Sequence, residues 1–201
     1  IDAGAGLLSL SATGALSLGT VRTTNSGNLT LSAASVSGVA DGNVDIIAPN
    51  ATLIVRTATG FGSSTNPIEI QVATMDMWNT GSTGAIVVQE SDNLVVKSVQ
   101  QSATGTSDGV EIRTLDGDID ILESGQGIKA VNGDVLVYAG NGAVSVGGDV
   151  DGTDTGIKTT GGDVSVVAEK GSVVLKSGIR LLPDLAGEIG NISIQANRSE
   201  E

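Results

Sequence analysis

The chain has 201 residues, 39% hydrophobic but only 1% aromatic, with 29 glycines, no cysteine, no histidine and a formal net charge of −13. Without Cys there is no disulfide framework, thiol nucleophile or thiolate metal site, and without His there is no Ser-His-Asp triad, His-activated nucleophile or HExxH zinc centre. Phosphate binding by counterion release needs basic surface, so no nucleic-acid partner is expected, and since no apolar run approaches about 18 residues, no membrane span is expected either.

Along the chain one phrase recurs: a Gly, then Asn or Asp, then two aliphatic residues separated by one other. The alternation is already running at Gly6-Leu7-Leu8-Ser9-Leu10. The phrase itself reads Gly27-Asn28-Leu29-Thr30-Leu31, Gly42-Asn43-Val44-Asp45-Ile46, Gly117-Asp118-Ile119-Asp120-Ile121, Gly133-Asp134-Val135-Leu136-Val137, Gly162-Asp163-Val164-Ser165-Val166 and Gly190-Asn191-Ile192-Ser193-Ile194. Apolar residues with one intervening position describe a short strand with one buried face, entered through a turn. The Asn or Asp is read as a turn former that bonds its own backbone. Strand starts are expected near Val39, Val44 and Leu53, then at Ile86 and Leu94, then at Val110, Ile119 and Ile128.

The spacing is sharpest where GIKAVNGDVLVYAGNGAVSV, from Gly127 to Val146, overlays GIKTTGGDVSVVAEKGSVVL, from Gly156 to Leu175, without a gap. Ile128 falls on Ile157, Lys129 on Lys158, Val135 on Val164 and Val144 on Val173. One coil then carries three strands, starting near Ile128, Val135 and Val144. The expected fold is all-β: a right-handed parallel β-helix of roughly eight coils with three strands per coil. Its core is filled by stacked Val, Ile, Leu and Ala, which suits a thin solenoid short of aromatic residues. Residues 1–196 are read as one segment excised from a longer protein, with coils continuing at both ends, and residues 197–201 as a frayed polar end.

Several residue groups invite a chemical reading. Asp45 and Glu69 form the one plausible outward acidic pair; glycoside hydrolysis needs two carboxyls roughly 5 to 10 Å apart. A second outward column is read as Asp120, Leu136, Ser165 and Ser193, which offers a single carboxylate. Asp149, Asp151 and Asp154 lie in an acidic turn that either is simply solvated or offers oxygen ligands to calcium; no other cofactor is implied. If the three Gly-Ile-(Lys/Arg) phrases align, Lys129, Lys158 and Arg180 stack on one face. That stack either meets an anionic partner such as an acidic glycan or is neutralised by Asp134 and Asp163. Trp78, the sole Trp, sits between the two Met residues and Asn79. It is either a sugar-stacking platform or, with Met75 and Met77, the filling of a wider coil.

The Gly-(Asn/Asp)-strand repeat, the richness in Gly, Ser, Thr and Asn, and the missing Cys resemble the filamentous-haemagglutinin-like large exoproteins of bacteria across most of the chain. Locally, Gly60-Phe61-Gly62-Ser63-Ser64-Thr65-Asn66-Pro67-Ile68-Glu69-Ile70-Gln71-Val72 with Thr83-Gly84-Ala85-Ile86-Val87-Val88 is similar to a segment of giant repetitive bacterial surface proteins. The resemblance implies an elongated, secreted or cell-surface segment whose commonest role is adhesion, and it carries no catalytic residue onto this chain. The expected function is therefore a structural or adhesive segment without catalytic activity, with host or environmental glycans or proteins as partners. The alternatives are a polysaccharide-active β-helix using surface carboxylates and a passive stalk spacer.

Overall fold

The computed structural model describes residues 1–122, 124, 126–147, 155–182, 187 and 189–197. Every regular element among them is a β-strand, and every pairing between strands is parallel. The strands wind into a parallel β-solenoid of about seven turns, close to the eight coils expected from the spacing.

Three faces are distinct in the later coils. The first stacks Ile86–Glu90, Val110–Thr114, Val135–Ala139, Val164–Ala168 and Ile192–Ala196. The second stacks Ile119–Ile121, Val144–Val146 and Val173–Leu175, and the third Gly127–Ala130, Thr155–Thr160 and Gly178–Leu182. The repeat overlay holds in register: Val135 pairs with Val164, Ile128 with Ile157 and Val144 with Val173. In the early coils two faces run together, in the strands Ile46–Thr57 and Ile68–Asn79. Pro49, which has no N–H to donate, sits where the pairing of those two strands is interrupted between Ala48 and Thr52.

Because successive side chains alternate sides, each coil sends its aliphatic residues to one continuous interior. One core column runs Val36, Phe61, Ile86, Val110, Val135, Val164 and Ile192, with every member but the last buried. Each buried Val or Ile contributes about 1.5–3 kcal/mol, and identical neighbours stack without changing the cross-section.

The corners differ from the sequence reading. Asp134 Oδ1 accepts the Asp163 N–H at 2.8 Å, and Asp163 Oδ1 accepts the Asn191 N–H at 2.7 Å. At another corner Asn93 Oδ1 accepts the Asp118 N–H, and Asp118 Oδ1 accepts the Ala143 N–H. These side chains bond the next coil, not their own backbone, because the solenoid places an unpaired N–H directly above each of them. The preceding Gly has an equally vertical reason: a Cβ on Gly162 would collide with the carbonyl oxygen of Gly133 in the coil beneath.

Two expected positions also move. Val39 is exposed, and the inward position of that coil belongs to Val36. Asp120 pairs with Val95 and Ser145 on the second face, so Leu136, Ser165 and Ser193 form a column with Glu111 instead.

Candidate binding face

On the third face the strand register builds one outward column from residues the sequence presented separately. Arg56 pairs with Trp78, Trp78 with Gln100, Gln100 with Lys129, Lys129 with Lys158 and Lys158 with Arg180. The column is held by the one behind it: Val55, Met77, Val99, Ile128 and Ile157 all point inward and are buried. Alternation then leaves the neighbouring positions no choice but the surface. The expected stacking of Lys129, Lys158 and Arg180 is therefore present, and Trp78 belongs to the same line.

The two readings of the Met75–Trp78 stretch separate cleanly. Met75 and Met77 fill the core, whereas Trp78 points out and is 47% exposed. Its indole stands between two shallow concavities. One, of about 520 Å³, is lined by Arg56, Asp76, Trp78, Lys97, Gln100 and Gln126. The other, of about 310 Å³, includes Trp78, Gln100, Lys129, Val131, Lys158 and Leu182. In the first, Asp76 holds Arg56 at 3.0 Å and Lys97 at 3.7 Å, and Arg56 also donates to the carbonyls of Val55 and Asp76.

Asp134 and Asp163, the expected neutralisers of the lysines, accept backbone hydrogen bonds in the corner ladder. Among the described residues the ion pairs involve Arg56, Lys97 and Arg113, and none reaches Lys158 or Arg180. Sequence reasoning missed Arg56, Lys97 and Gln100 as neighbours of Trp78. The missing signal was the register of the long early strands, which slips between Met75 and Asp76 opposite Leu94–Gln101.

No protein-family model, no curated protein and no solved structure matches this chain.

The acidic candidates are placed differently from the expectation. Asp45 does pair with Glu69, its N–H donating to the Glu69 carbonyl, and its Oδ2 accepts the Glu69 N–H at 3.2 Å. It is not opposite Thr30, which pairs with Ile54. Nor is it outward: Asp45 is 2% exposed, and its carboxyl fills the space beside Gly38, where a Cβ would collide with it. Burial first, and then the adjoining Glu69 carboxyl, push Asp45 up to about 7. Glu69 Oε2 is itself buried without a hydrogen-bond partner.

A third acid, Glu90, was not foreseen. It occupies an inward position between Ile70 and Thr114 and is fully buried. Its oxygens accept the N–H groups of Val72, Ser91 and Asp92. Burial outweighs these bonds and pushes it up to about 8. Asp149, Asp151 and Asp154 lie outside the described residues. Among the described residues no group of three or more carboxylates gathers to hold a metal ion.

Proposed function

We propose that the chain is a structural and adhesive β-solenoid segment of a large secreted or surface-displayed bacterial protein, acting by non-covalent contact and without catalysis. The observation that supports this reading is the solenoid itself: its aliphatic residues fill one continuous interior, while Trp78, Gln100, Lys129, Lys158 and Arg180 form an outward column in strand register. With the interior closed by stacked aliphatics, the outward columns are left to contact other molecules.

The reading is tested by labelling intact cells of the source organism, and their culture medium, with antibody raised against this segment. Label on the cell surface or in the medium supports it; label confined to the lysed-cell fraction overturns it. Retention on an array of glycans and host proteins then separates an adhesive segment from a passive spacer, which retains none.

A further inference from the structure

The outward column of the third face concentrates positive charge on an otherwise acidic molecule. Arg56, Lys129, Lys158 and Arg180, four of the ten basic residues in a chain of net charge −13, stand in it, and Lys97 lies beside it, sharing Asp76 with Arg56. Three of them, Lys129, Lys158 and Arg180, stand on successive coils in direct register. Like charges stacked across parallel strands repel mildly, and an anionic chain laid along them turns that repulsion into attraction. At about 4.8 Å per coil, the four steps from Trp78 to Arg180 span roughly 19 Å. The rise of one coil is close to the length of one pyranose in an extended polysaccharide, so successive rungs meet successive sugars.

The aromatic end of the column supplies what charge alone does not. Trp78 offers a half-exposed indole face flanked by the two concavities, and a pyranose has an apolar face that stacks on such a ring. Gln100, between Trp78 and Lys129, adds an amide that hydrogen-bonds hydroxyls; its Nε2 donates to Ser98 Oγ at 3.2 Å, which aims it along the strand.

We infer that this column is a binding track for a linear acidic glycan, with a sugar ring on Trp78 and its anionic groups over Lys129, Lys158 and Arg180. The inference deepens the adhesive reading by naming the ligand class. The track runs along the solenoid axis, so affinity grows with oligosaccharide length until every rung is occupied. Because its contacts are ionic and open to solvent, binding weakens as salt is raised.

Trp78 is the chain's sole Trp, so its fluorescence reports on the site directly. The protein is titrated with a galacturonate hexamer, a heparin-derived hexasaccharide and neutral maltohexaose, with calorimetry in parallel. The expected result is a saturable change in Trp78 emission with at least one acidic probe and none with maltohexaose. Whether the carboxylated or the sulfated probe binds more tightly identifies the anion. Lys158→Glu is expected to weaken binding at least tenfold, and Trp78→Ala, followed by calorimetry, by a similar factor. Lys170→Glu, at an exposed cation away from this column, leaves affinity unchanged. All three side chains point outward, and thermal melts verify that each variant remains folded. No response to either acidic probe, an equal response to maltohexaose, or unchanged affinity in Lys158→Glu overturns the track. The two readings fail separately: label confined to lysed cells removes the exported segment and leaves the titration standing, while a flat titration removes the glycan track alone.

Discussion

At Gly162 and Asp163 two adjacent residues hold one coil to the next by different means. The Asp163 carboxylate accepts the Asn191 N–H from an exposed corner, so Asp163→Ala is expected to lower stability by about 1 kcal/mol. Gly162→Ala drives a methyl into the backbone of Gly133, which has no side chain to swing aside, and is expected to cost about 2 kcal/mol or more. Urea denaturation of the two variants checks the ranking.

Glu90 is the residue whose environment contradicts its chemistry most. Its folded pKa is pushed up to about 8, while the unfolded carboxyl ionises near its ordinary value. The fold therefore prefers the neutral form. The stability this brings is complete below the unfolded pKa and is lost as pH rises through about 8. Asp45 acts in the same sense, with its loss complete as pH passes about 7. Thermal melts between pH 5 and 9 are expected to show falling stability. Glu90→Gln, which stays neutral throughout, is expected to flatten the slope by up to about 1.4 kcal/mol per pH unit.

At the scale of elements, the corner that closes the long strand Ile68–Asn79 is held by polar side chains inside the core. Thr57, Asn79 and Gln101 stand in register and are buried. Asn79 Nδ2 donates to the carbonyls of Thr83 and Gly84 and to Gln101 Oε1, while its Oδ1 accepts from Thr57 and the Gly60 N–H. Asn79→Leu preserves the volume but leaves these groups unpaired. It is expected to destabilise by about 3 kcal/mol or more, measured by calorimetric unfolding.

The same elements show why sequence legibility stops where it does. Where turns separate short strands, as from Gly127 to Leu175, equivalent residues recur at fixed spacing and the alignment of Lys129, Lys158 and Arg180 is readable. In Ile46–Thr57 and Ile68–Asn79 two faces share one strand; Pro49 marks the bend of the first, but in the second the pairing irregularity between Met75 and Asp76 has no turn residue to mark it. The place of Trp78 in the cationic column depends on that irregularity and on Gln100, an uncharged rung. The burial of Asp45 depends on its packing beside Gly38, in a different strand. Glu90 is hidden for a simpler reason: alternation marks its position as inward, but composition rules send a carboxylate outward.

At the scale of the whole molecule, the paired strands contact mainly the coils above and below, so stability is close to a sum over nearest neighbours. Amides in Val135–Ala139, sandwiched on both sides, are expected to exchange with deuterium at least a hundredfold more slowly than those in Ile192–Ala196, whose outer side meets no described strand. Equal rates in the two strands, measured by mass spectrometry, contradict a nearest-neighbour stack.

The parallel ladders that build the solenoid run along its long axis, and this gives the molecule a mechanical character. Tension applied at the two ends pulls the coils apart in the direction of their hydrogen bonds, peeling one ladder at a time instead of shearing many at once. Equivalent positions Ile86, Val110, Val135, Val164 and Ile192 set the slack released per coil, so stretching a single molecule should give a train of small, nearly equal length increments. A tether of this kind yields gradually under flow, and it rewinds from whichever coils remain.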